Sequence, residues 1–190
     1  SGDAAEQARV FRFVTDASTP AVRSATVLGQ QVEAHRRRRV VPEGDLAAVA
    51  AMVASPEPSL SAAAIDAAGA WQVEDAAAPL ARIVADGAQA PERRQAALRA
   101  LGNLTGRSAH DALAGVAGDG RVAEGLRAGA LSSLVGRSLD DAAALTARWL
   151  AEGPSEAPVH EVLRTFLGHR GAADRLATAL VDVPIPAVVA

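Results

Sequence analysis

A chain of 190 residues is long enough to bury a substantial core, and its formal net charge of −3 gives no global attraction to nucleic acid or anionic lipid. It has no Cys, which excludes disulfides, thiolate zinc sites, iron–sulfur clusters and a cysteine nucleophile. The hydrophobic share of 49% is mostly Ala, Leu and Val, with three Phe, two Trp and no Tyr, a composition that suits closely packed helices and predicts an all-α fold.

In chain order, the opening "SGDAAEQARV" lacks the apolar core of a signal peptide, and no stretch approaches 18 consecutive apolar residues, so no membrane span is expected. Apolar periodicity predicts a helix over 4–15. A second, over 19–36 and opened by Thr19-Pro20, carries the stripe Val22, Ala25, Leu28 and Val32. That stripe runs into "HRRRR", and the helix is expected to extend toward Arg37, where Glu33 lies four residues away and the cations sit at the favourable end of the dipole.

Further helices are predicted over 44–54, 58–70, 74–85, 91–104, 108–117, 121–136, 139–151, 157–168 and 171–181. Ala76, Leu80, Ile83 and Val84 form the stripe of one, and Ala97, Leu98, Leu101 and Leu104 that of another. Pro184 and Pro186 predict an extended exit over 184–190. That exit, with an opening Ser1-Gly2 that reads as a tag remnant, suggests a module of a larger protein.

The helices fall into a repeat. Segments ending in Gly29, Gly69, Gly102, Gly136 and Gly168 recur at intervals of 40, 33, 34 and 32 residues, and Asp86-Gly87, Asp119-Gly120 and Glu152-Gly153 keep the same phase at 33 and 33. This gives two-helix units of about 1–40, 41–72, 73–105, 106–137, 138–169 and 170–183 in a single array. A pair this short cannot close its own core and must stack on its neighbours.

The segments "PAVRSATVLG" and, more loosely, "PERRQAALRALG" resemble HEAT repeats of the Ala-rich bacterial type. Units two and four depart from that pattern: Ala62 or Ala63 stands near the expected Arg, and the fourth unit has no Pro before its second helix. The resemblance implies a right-handed α-solenoid of about five to six repeats, whose second helices line the concave face of a non-catalytic scaffold for protein–protein interaction. Similar arrays occur in exported bacterial dehydrogenases and c-type cytochromes, although no CxxCH haem motif is present here.

Charge sorts with the repeat. First helices and their turns hold 16 of the 22 acidic residues and 7 of the 19 arginines, whereas second helices hold 6 and 12. The concave layer is therefore expected to be basic and to dock an acidic protein segment through Arg23, Arg94, Arg99, Arg127 and Arg164, with Arg36, Arg37, Arg38 and Arg39 as a lip. Pairing between adjacent helices would instead cancel these charges. Nucleic-acid binding on the same face is the alternative reading, opposed by the net charge and the absence of Lys.

Catalytic signals are weak. "HEVLR" has Arg164 where a zinc-binding HExxH motif needs His, and "GDGRVAEG" lacks the Lys and preceding strand of a phosphate loop and reads as a turn. Ser108, His110 and Asp111 are too close in sequence to form a relay on one helix, and Ser108, like Ser138, reads as a helix N-cap. Trp71 and Trp149 read as core residues. No cofactor or metal is expected, and a HEAT-like lyase acting on a tetrapyrrole is the remaining enzymatic reading. The expected protein is a monomer, cytoplasmic by default or periplasmic if cut from an exported protein.

Overall fold

The computed structural model describes residues 4–16, 19–38, 41–42, 44–181 and 183–184, and the side chains of all of these but 4–8 and 15. Arg39 and the end of the predicted exit, 185–190, lie outside the described residues. The described chain is all-helical: α1 (Ala4–Thr15), α2 (Ala21–Arg38), α3 (Ala47–Val53), α4 (Pro58–Trp71), a 3-10 turn (Glu74–Ala76), α5 (Ala77–Ala85), α6 (Pro91–Asn103), α7 (Arg107–Gly118), α8 (Glu124–Val135), α9 (Leu139–Ala151), α10 (Glu156–Leu167) and α11 (Ala172–Leu180).

Two compact units emerge, one of Ser1–Ile83 with Gln89–Ala109, the other of Val84–Ala88 with His110–Ala190. In the first, α2 packs on α4 and α4 on α6, while α1 and α3 pack against α2 and α4. In the second, α8 packs on α10 and α9 on α11, with further contacts from α8 to α9 and from α10 to α11. Within each unit, then, even-numbered helices stack on even-numbered ones. Phe11, Leu28, Val32, Ile65, Leu80, Leu98 and Leu101 are buried in the first unit, and Leu113, Leu131, Leu134, Trp149, Val162 and Phe166 in the second. Each fully buried Leu or Phe contributes about 2 kcal/mol.

Local chemistry explains where helix limits differ from expectation. Helix α3 starts at Ala47 rather than 44 because Gly44 holds φ 145, outside any helical region. The stretch 74–85 opens as a 3-10 turn before α5. Pro79 has no N–H with which to close an α-helical bond to residue 75. Helix α8 starts at Glu124 rather than 121 because the Asp119 carboxylate takes the Arg121 N–H (3.0 Å) and guanidinium, fixing a turn there.

The stripe of α2 is buried at Ala25, Leu28 and Val32, but Val22, the second residue of the helix, is 61% exposed. Both stripes predicted over 76–84 and 97–104 are buried. Trp71 and Trp149 are core residues, the former meeting Phe11 edge-to-face at 6.0 Å.

Candidate partner-binding surface

Helix α2 runs its full length into the arginine cluster, as the dipole argument requires. Glu33 accepts a hydrogen bond from Arg37 at 3.0 Å and stands 3.7 Å from Arg36. All three side chains remain about half exposed or more, so the pairs add only a few tenths of a kcal/mol each. Both pairs lie within the last turns of α2.

Helices α4 and α6 cross closely at Gly69. A Cβ there would lie 2.9 Å from the Ala100 Cα, so only glycine permits this approach. The crossing leaves a cleft of about 510 Å³. One wall carries His35 and Arg36 of α2, and α6 supplies Ala96, Arg99 and Asn103. Ile65, Asp66, Gly69 and Ala70 of α4, with Ala100, make a floor of mostly small residues, and Gln72 closes one end. Gln72 caps α4 in the left-handed conformation (φ 55) and accepts a hydrogen bond from the Thr105 hydroxyl at 3.3 Å. Arg99 and Asp66 are exposed and have no partner among the described residues.

The structure therefore brings two of the nine expected arginines, Arg36 and Arg99, to one cleft. Arg37 and Arg38 line a separate hollow of about 520 Å³ on α2, with Thr26, Gly29, Gln30 and Glu33. Arg23 is exposed near the start of α2, about 20 Å along the helix axis from Arg36. Arg94 is half-buried and already engaged, and Arg164 is exposed on α10.

Arg127 is a correction. It is 5% exposed, donates from Nε to the Ala117 carbonyl at 2.9 Å, and forms a two-pronged pair with Glu152 at 2.6 and 2.9 Å. Those bonds hold the Glu152 carboxyl below its ordinary value, against the opposing effect of desolvation. A guanidinium so enclosed cannot meet a partner. The signal was in the sequence: Arg127 stands at i, i+4 and i+7 with Leu131 and Leu134 on the buried stripe of α8, whereas Arg99 shares its stripe with Gln95 and Asn103.

Two further arrangements involve helix starts. Ser138 caps α9, accepting the Asp141 N–H at 3.3 Å, but Ser108 lies one residue inside α7 and caps nothing there. The Glu74 carboxylate takes that role, accepting the Thr105 and Gly106 N–H groups at 3.0 and 2.6 Å; a Cβ on Gly106 would collide with it. Glu124 likewise accepts the Ser155 N–H at 3.2 Å and the Ser155 hydroxyl before α10, bonds that lower its pKa. Carboxylates suit these positions because they meet both unsatisfied amides and the positive end of the dipole. A carboxylate 31 or 32 residues upstream of the helix it caps was invisible to local reading.

His110 meets Asp141 at 3.1 Å rather than Ser108 or Asp111, and His160 lies 3.8 Å from Glu156. Among the described residues, no three His, Asp or Glu side chains gather as a metal site. No helix among them is long and apolar enough to cross a membrane. Comparison with protein-family models, with curated proteins and with solved structures finds no match to this chain.

Proposed function

We propose that the chain is a HEAT-like α-solenoid acting as a non-catalytic scaffold for protein–protein interaction, and that it docks an acidic segment through its even-numbered helices. The repeat is supported by equivalent local geometry at the predicted period. Asp86 and Asp119 each accept the N–H two residues on, at 2.9 and 3.0 Å, and the helix-preceding Ala90 and Ala123 share φ −56 with ψ 140 and 139. Side-chain hydrogen bonds also join residues 31 to 33 apart, among them Arg93 to Ser61, Thr105 to Gln72, and Thr165 to Ser132.

The observation that carries the binding reading is the cleft of α2, α4 and α6, where Arg36 and Arg99 converge over a floor of small residues. Guanidiniums left without a full complement of acceptors present forked donors that match carboxylates. The test is titration of the chain with a fluorescent acidic peptide and with its basic counterpart. Saturable binding of the acidic peptide alone, weakened by salt and by Arg36→Glu, is expected. Equal binding of both peptides, or of neither, would remove the reading.

A further inference from the structure

The cleft lined by Arg36, which Glu33 reaches at 3.7 Å, and by Arg99, which has no partner among the described residues, also carries an acid. Asp66 sits on the floor, on α4, between the wall of His35 and Arg36 and the helix that bears Arg99. It is exposed and has no partner among the described residues, so neither arginine neutralises it. An ionised carboxylate only accepts hydrogen bonds. A ligand that fills this cleft must therefore satisfy two kinds of group at once: guanidiniums that seek an anion, and a carboxylate that seeks a donor.

A surface built for an uninterrupted polyanion has no use for that acid. A nucleic-acid backbone, or a peptide with a continuous run of Glu, would place a like charge against Asp66 whenever it placed another on Arg36 or Arg99. Gln72 and Asn103 do not change this balance, because a carboxamide can donate or accept. Gly69 and Ala100, both small, line the cleft where α4 and α6 meet.

We propose that Asp66 is a specificity-determining residue: the cleft takes a protein segment in which an acidic side chain stands beside a basic one, and Asp66 turns away segments of continuous negative charge. The acid engages Arg36 and Arg99, and the base engages Asp66. Discrimination arises as much from repulsion of the wrong ligand as from attraction of the right one. The inference rests on the acidic-segment reading above and sharpens it.

The experiment uses the full chain and two fluorescent peptides of equal length and equal net negative charge. One carries its glutamates in a continuous run; the other carries a lysine beside each pair of glutamates. Anisotropy titrations of the unaltered chain should favour the mixed-charge peptide by about threefold, the size of one solvent-screened charge contact. Asp66→Asn should bring the two affinities together, chiefly by improving the continuous run, while Arg99→Gln should weaken both. Because Asp66 is exposed, thermal unfolding of Asp66→Asn should match the unaltered chain, so a change in selectivity would not reflect misfolding. Equal affinities in the unaltered chain, or a preference that survives Asp66→Asn, would overturn the role of Asp66 and leave the acidic-segment reading intact. Failure of both peptides to bind would overturn the role of Asp66 and the acidic-segment reading together.

Discussion

Arg99 on α6 and Arg127 on α8 are the same residue type on even-numbered helices, yet they do opposite things. Arg99 is exposed and lines a cleft, whereas Arg127 is buried and spends its donors on Glu152 and the Ala117 carbonyl. The difference lies in helix phase. Arg127 falls on the stripe that α8 buries, and a buried guanidinium must be fully paired or destabilise the fold. Charge counted per helix is therefore a poor guide to a surface unless it is also counted per face.

This contrast predicts its largest effect at the partner of Arg127. Glu152→Ala should cost about 3 kcal/mol, read by urea unfolding, because it strands a buried cation. Arg127→Met should cost less, about 1 kcal/mol, since it removes the charge and keeps much of the volume. Arg99→Ala should stay within about 0.5 kcal/mol of the unaltered chain. If Arg127→Met proves the most damaging of the three, the pair is worth more than its desolvation argument allows.

Glycines sharpen the same distinction between packed and open helix faces. Gly69→Ala should cost about 2 kcal/mol, because its Cβ meets the Ala100 backbone at 2.9 Å. Gly125→Ala, whose Cβ meets nothing within 4 Å, should stabilise α8 by about 0.5 kcal/mol. Both are measurable as shifts in unfolding midpoint, and the expected signs are opposite.

The smallest effects concern acid. Hydrogen bonds from Arg121 lower the Asp119 pKa to about 2 from an ordinary 3.8, and Arg127 lowers that of Glu152. A depressed folded-state pKa contributes stability at neutral pH that fades as pH falls from the unfolded value through the folded one. For Asp119 that window runs from about pH 4 to pH 2. Glu152→Ala and Asp119→Asn should consequently each flatten the acid-unfolding curve, the latter between about pH 4 and pH 2.

The helical layout was largely legible in the sequence. Amphipathic stripes such as 97–104, helix-opening prolines such as Pro58 and Pro91, and Asp-Gly turns fix short helices by local physics. The candidate site was legible only in part. Arg36 and Arg99 bear side chains of the expected kind, but their meeting depends on the α4–α6 crossing at Gly69, a long-range contact that no local pattern encodes. Asp66, one of six acids among the second helices, is distinguished from the others only by the cleft around it, which no local pattern encodes. The caps by Glu74 and Glu124 were hidden for the same reason, since each serves a helix far along the chain.

The central claim is a division of labour between Arg99 and Arg127, and a single crossed experiment tests it most directly. Binding of the mixed-charge peptide and urea stability would be measured together for Arg99→Glu and Arg127→Met. The account predicts that Arg99→Glu loses at least about tenfold in affinity at nearly unchanged stability. It also predicts that Arg127→Met, under conditions where it remains folded, binds as the unaltered chain does. Retained affinity in Arg99→Glu, or lost affinity in folded Arg127→Met, would contradict it.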